Sequence, residues 1–211
     1  MKKFNKLIIA CDGESASGKS TAAKLVSKKY KLLTLNSGLL YRYASKLILN
    51  FKPKNDVIFL RKKFKVISYS KIKNQSLHSE EISNHVAMLA KNKNVRKIIN
   101  QFQRKIIKKN NKICVEGRDI ASKILLKNPK YDIAFYFKCN LYTASKRRWL
   151  DIKKKVPLSV VQNSLKKRTL IDKKRKNSPL IMVKDAILIR TDRLSKKQVL
   201  LKMSKYIEDL N

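Results

Sequence analysis

Gly13-Glu14-Ser15-Ala16-Ser17-Gly18-Lys19-Ser20 matches the phosphate-loop pattern G-x-x-x-x-G-K-[S/T] at every constrained position. Two glycines let such a loop turn its backbone N–H groups inward, and a following helix adds partial positive charge, so a polyphosphate is held largely by main chain. Lys19 supplies a full positive charge for the β- and γ-phosphates, and the Ser20 hydroxyl is a ligand for a Mg²⁺ that bridges them. The candidate nucleoside triphosphate site is therefore Gly13, Glu14, Ser15, Ala16, Ser17, Gly18, Lys19, Ser20 and the adjoining Thr21. The flanking residues supply the required frame. Lys6 to Cys11 reads as a short buried strand, and Ala22, Ala23, Leu25, Val26 and Tyr30 recur at helical spacing after the loop. A glycine turn with an incidental lysine would not need that strand and helix.

Other residue clusters recur after predicted strands. Ser37 opens a helix that carries Arg42 one turn later, either a second anion cradle or an ordinary N-cap. Gly117-Arg118-Asp119 follows the strand Lys112–Glu116, at the edge where open α/β sheets bind ligands. Arg168, Asp172 and Arg175 are spaced to share one helical face, as an ion-pair ladder or as a binding constellation. Arg96, near the start of the periodic helix Val95–Arg104, is either a surface residue or a ligand. Arg147 and Arg148 lie on a further helix that begins near Ala144.

The 211 residues allow one domain with an insert and a real core. No stretch approaches the roughly 18 apolar residues of a membrane span. The start Met1-Lys2-Lys3 before Leu7–Cys11 mimics a lipoprotein signal, but its apolar run is too short and cleavage would cut the first strand. Cys11, Cys114 and Cys139 lack metal-ligand spacing and read as buried thiols of a cytoplasmic protein, and neither His78 nor His85 has a partner pattern. The formal net charge is +38, and 41 of the 52 basic residues are lysine. These lysines are spread along the whole chain, which reads as compositional bias with a solvated surface and not as one nucleic-acid face.

The phosphate loop followed by Asn36-Ser37-Gly38-Leu39-Leu40-Tyr41-Arg42 and Gly117-Arg118-Asp119 resembles bacterial cytidylate kinases, and the pattern R-x-x-x-D-x-x-R at 168–175 extends the likeness. The resemblance implies transfer of the ATP γ-phosphate to CMP or dCMP with Mg²⁺, in an α/β fold with a five-stranded, mostly parallel sheet and helices on both faces. It implies a small monophosphate-binding insert at about 53–90, rich in β-structure, for which the alternating run Phe64–Ser70 reads as an exposed strand. A lid is implied at about 147–165, with Arg147 and Arg148 facing the transferring phosphates. Ser37, Arg42, Arg96, Arg118, Asp119, Arg168, Asp172 and Arg175 are the implied CMP ligands: Arg96 and Asp119 on the cytosine, Arg168 and Asp172 on the ribose, Arg118 and Arg175 on phosphate. Lys19, Arg118, Arg175, Arg147 and Arg148 carry the implied catalysis.

Three residues depart from the family pattern. Asn36 stands where the family has Asp, Ala87 where it has a serine that bonds the base, and Arg190 where it has an acidic residue. Losing the hydroxyl at 87 costs about 0.5–1.5 kcal/mol, which bears on base choice and leaves the phosphoryl chemistry intact. The expected partners are ATP and CMP or dCMP, with no dedicated nucleic-acid or membrane partner and a monomeric chain.

Overall fold

The computed structural model describes residues 3–77 and 79–210. Met1, Lys2 and His78, which figured in the sequence reading, lie outside the described residues. The described residues form two compact units, one from 3–35 with 110–210 and one within 36–109.

The first unit is built on a five-stranded sheet. Strands β1 (Leu7–Gly13), β2 (Leu33–Asn36), β3 (Lys112–Glu116), β4 (Ile133–Lys138) and β5 (Ile187–Arg190) lie in the order β2-β3-β1-β4-β5. Pairing of β1 with β3, of β1 with β4 and of β4 with β5 is parallel, with Cys11 opposite Glu116 and Gly13 opposite Phe137. All seven residues of β1 are buried, so both faces of the sheet are covered at its centre, as an apolar parallel strand requires. Helices α1 (Lys19–Tyr30) and α9 (Lys196–Glu208) close one face. There Ala23, Val26, Met203 and Ile207 pack on Ile9, Phe135 and Phe137. Ser195 starts α9 with a capping box, accepting from Gln198 N while the Gln198 side chain accepts from Ser195 N. Helices α7 (Leu141–Asp151) and α8 (Leu158–Lys174) share a smaller core around Cys139, Ala144, Val161 and Leu165.

The second unit is helical throughout its described elements: α2 (Ser37–Phe51), α3 (Asp56–Val66), α4 (Tyr69–Lys73), α5 (Glu80–Leu89) and α6 (Lys93–Lys108). This corrects the strand expected at 64–70 and the β-rich insert implied with it. Asn55 caps α3 by accepting from Ile58 N, and Ser68 caps α4 by accepting from Lys71 N. The apparent alternation therefore spans one helix end and the next helix start. Phe64 and Val66 would share a face in a strand. Instead Phe64 is buried edge-on against Tyr43 and Phe102, while Val66 is 83% exposed. Leu60 and Phe64, four residues apart, were the helical signal.

Candidate nucleotide-binding site

The phosphate loop follows the end of β1 and is shaped by three residues with positive φ, Gly13 (153°), Ala16 (55°) and Gly18 (80°). Gly13 admits no side chain, because a Cβ there would lie 2.3 Å from the Phe137 carbonyl oxygen on β4. The loop is held from within by Ser17 Oγ donating to the Glu14 carbonyl at 2.9 Å, and from the chain's far end by Thr191 Oγ1 donating to the Ser17 carbonyl at 2.9 Å. Successive N–H groups in such left-handed turns form an anion nest at the N-terminus of α1.

Lys19 and Ser20, the first residues of α1, both meet Glu116 at the end of β3. Lys19 Nζ lies 3.4 Å from Glu116 Oε2, and Ser20 Oγ donates to the same oxygen at 2.5 Å. Burial, and then the nearby Arg118 charge, push the Lys19 pKa down against the pull of Glu116 and Asp12. Glu116 Oε1 is buried without a hydrogen-bond partner. A buried, unpaired carboxylate oxygen beside a phosphate-loop hydroxyl fits a divalent cation that keeps several of its waters. Among the described residues no three His, Cys, Asp or Glu side chains gather as a metal cage, so any such ion would draw most of its ligands from phosphate and water. Glu116 was not singled out in the sequence, where it reads as the last residue of a buried strand.

Arg118 bridges two features of this unit. Its Nε donates to Asp172 Oδ2 at 3.0 Å and its Nη2 to Ser15 Oγ of the loop at 3.2 Å. Arg175 lies against the same carboxylate, with Nη1 3.4 Å from Asp172 Oδ1 and Nη2 3.6 Å from Asp119 Oδ1. Its Nε also donates to the Ser178 carbonyl. The structure brings Arg118, Asp119, Asp172 and Arg175 together as expected. Arg175 is the C-cap of α8, its N–H donating to the Ile171 carbonyl, and it reaches back three residues to Asp172. Arg168 is half-buried on α8, one turn before Asp172.

Asp12 is a second residue the sequence did not reveal. Its carboxylate is buried at the end of β1 and accepts from Ile120 N at 2.9 Å and Ala121 N at 2.8 Å. These are the first N–H groups of a π-helical turn, Ile120–Ile124, directly after Arg118-Asp119. Burial pushes the Asp12 pKa from 3.8 up to about 6, with Asp119 adding to the rise and the two hydrogen bonds and Lys19 opposing it. Protonation would turn one acceptor oxygen into a donor facing an N–H, loosening the turn that aims Arg118 and Asp119. Activity is expected to fall as pH drops through about 6. An Asp12→Asn variant should show a lower, flatter acid limb, which separates this effect from titration of substrate phosphate at a pKa of about 6. Fold stability moves the other way: the folded pKa exceeds the unfolded one, so ionising Asp12 costs stability as pH rises from 3.8 to about 6.

A cavity of about 240 Å³ opens beside the loop, lined by Gly18, Ala22, Leu25, Arg147, Thr191 and Leu194. Arg147 forms one wall, donating to Thr191 Oγ1 at 3.1 Å and to the Thr191 carbonyl at 2.7 Å. Arg148 is half-buried on α7, one residue further.

Within the helical unit, Ser37 is buried at the start of α2, where Asn36 caps the helix by accepting from Leu39 N at 3.1 Å. Capping needs a side-chain oxygen and no charge, so Asn36 serves there as Asp would. Arg42 donates to the Leu77 carbonyl at 3.1 Å and to Ser83 Oγ at 2.9 Å. Arg96 is buried, its guanidinium 5.6 Å from the Tyr41 ring centroid, and it donates to the Ala90 carbonyl at 3.3 Å. It is not the surface arginine of the plain reading. Ala87 is half-buried on α5.

The cytidylate kinase family pattern matches residues 9–209. The chain belongs to the cytidylate kinase family. It is 32% identical to the cytidylate kinase of Bartonella tribocorum across 92% of this chain and 90% of that one, and 30% identical to the cytidylate kinase of Clostridium tetani across 96% and 94%. It is also 32% identical to a bifunctional pantoate ligase/cytidylate kinase of Prochlorococcus marinus, across 96% of this chain and 43% of that protein. The chain thus spans less than half the length of these bifunctional relatives. Solved structures share the fold alone: an uncharacterized protein from Eubacterium ventriosum (TM-score 0.57, 20% identity, 97% and 99% coverage) and a shikimate kinase from Bacteroides thetaiotaomicron (TM-score 0.52, 9% identity, 97% and 99%). The family assignment and the phosphate loop agree in placing the chain among P-loop kinases.

Proposed function

We propose that the chain transfers the γ-phosphoryl group of ATP to CMP or dCMP, yielding ADP and the cytidine diphosphate. The observation that carries this reading is Arg118, which touches Ser15 of the phosphate loop and the Asp172–Arg175–Asp119 cluster at once. A hydrolase needs only a water beside the donor phosphates; a second arginine–carboxylate cluster next to the loop suits an acceptor that brings its own phosphate. Names of full-length relatives, all cytidylate kinases, support the same acceptor.

No side chain need act as nucleophile, since an oxygen of the acceptor phosphate attacks in line. Lys19 neutralises charge on the β- and γ-oxygens, while Arg118 and Arg175 offset charge on the acceptor and on the group in flight. Ser20 and Glu116 would hold Mg²⁺, which would supply positive charge to offset that of the phosphates. The residues of the 240 Å³ cavity are assigned to the adenine. Asp119 is assigned to the cytosine amino group, which uracil lacks, and Arg96 to the ring. Ser37 and Arg42 are assigned to the acceptor phosphate, Arg168 and Asp172 to the ribose. The insert at about 53–90 would bind the monophosphate. Residues 147–165, which run through a turn with Lys153 and Lys154 at positive φ, would form the lid that excludes water, with Arg148 as its second arginine. No described helix is long and apolar enough to cross a membrane. Three buried free cysteines suit the reducing cytoplasm, and one copy of the chain carries every assigned residue.

The test is coupled ADP release with ATP and Mg²⁺, presenting CMP, dCMP, UMP and AMP separately. Strong stimulation by CMP and dCMP alone is the expected result, and would show that Arg96 and Asp119 select cytosine without a hydroxyl at position 87. Equal stimulation by UMP or AMP would overturn the base assignment, and no stimulation by any would overturn the activity.

A further inference from the structure

The phosphate loop carries a charge of the wrong sign for its task. Glu14, its second residue, has a side chain only 12% exposed, so its carboxylate is fixed beside the turn that must receive a polyanion. Its backbone is pinned as well, by Glu14 N donating to the Phe137 carbonyl at 3.1 Å and by the Ser17 hydroxyl on its own carbonyl. The carboxylate meets Lys173 Nζ at 2.6 Å, and its charge adds to the effect of burial, which pushes the Tyr136 pKa up to about 12. Lys173 comes from the last turn of α8. The preceding residue, Asp172, holds Arg118, which donates to Ser15. Consecutive residues of one helical turn thus hold consecutive residues of the loop, one directly and one through an arginine.

We infer that Lys173 is a positioning residue for the donor nucleotide, neutralising Glu14 and holding its carboxylate away from the polyphosphate. The inference rests on the proposed ATP site. Without Lys173, Glu14 would keep its full charge within reach of the phosphates. A like unit charge at about 6 Å, in the effective dielectric of a protein surface, is enough to weaken binding about a hundredfold, and salt and solvent screening at this partly exposed pair bring the expected loss to about tenfold. The effect is expected on donor affinity and not on the chemical step, because the charge it uncovers lies on the donor loop and not among the residues assigned to the acceptor. The Lys173 side chain is itself 45% exposed, so its removal leaves no buried charge stranded on α8.

The experiment is a titration of purified chain with ATP, followed by calorimetry, together with KM and kcat for ATP and CMP. For Lys173→Met we expect ATP affinity to fall about tenfold and KM for ATP to rise in step, with kcat and KM for CMP within about twofold. Lys173→Arg should bind ATP as the parent does. In a Glu14→Gln background, Lys173→Met should have no effect on ATP affinity, since there is no charge left to neutralise. Unchanged ATP binding in Lys173→Met, or a loss that persists undiminished in the Glu14→Gln background, would overturn the inference; a fall in kcat with no change in ATP affinity would do so too. Failure of the parent chain to bind ATP would overturn the underlying kinase reading along with it.

Discussion

Replacing Lys19 with alanine is expected to lower turnover at least about a hundredfold, the loss typical of one preorganised charge contact in a transition state. The geometry sharpens this expectation. Lys19 is buried and its ammonium already lies 3.4 Å from Glu116, so it is held in place before any substrate arrives. Removing it deletes a positive charge and leaves Glu116, still hydrogen-bonded by Ser20, as an uncompensated negative group beside the phosphates. Steady-state kinetics with saturating ATP and CMP would measure the effect. Turnover equal to the parent's would sink the mechanism. Melting curves of the same variant separate loss of chemistry from loss of fold, since an unpaired buried carboxylate is itself costly.

The second large effect is expected at Asp119. In Asp119→Ala, CMP binding should weaken about ten- to hundredfold, as loss of a charge-assisted hydrogen bond predicts, while ATP binding changes little. Asp119 is 5% exposed and faces Arg175, so its removal also takes one carboxylate from a buried guanidinium. Arg175 keeps Asp172, which should preserve the fold. Asp119→Asn serves as the companion variant: it keeps the shape and one acceptor oxygen, and should bind CMP better than the alanine form. Separate titrations with CMP and ATP are decisive. Equal loss of both would show that the acceptor and donor assignments are confused.

Legibility in the sequence tracked how local each feature is. The phosphate loop, its strand and its helix are contiguous, so spacing alone disclosed them. The cluster of Arg118, Asp119, Asp172 and Arg175 was visible only through family resemblance, because Arg118 and Asp172 are 54 residues apart and meet through the fold. Glu116 and Asp12 escaped because each ends a buried strand, where one polar residue carries no periodic signal; their roles come from the register that sets Cys11 opposite Glu116 and the π turn opposite Asp12. Lys173 was invisible for a different reason: in a chain with 41 lysines, one more beside Asp172 is not a signal. The misread strand at 64–70 shows the converse error, a period of two manufactured by a helix end and a serine cap.

Three of the cations proposed to meet phosphate in the loop unit already have anions of their own: Lys19 has Glu116, Arg118 has Asp172, and Arg175 has Asp119 and Asp172. A nucleotide therefore enters by exchange, each phosphate oxygen displacing or sharing a carboxylate that was there first. A lone small anion gains little from such a trade, because it replaces one internal partner with another and surrenders its own hydration. A nucleotide makes several trades at once and pays its loss of freedom a single time. In a chain of such high positive charge, this internal competition is what keeps the site from being just another place where anions collect.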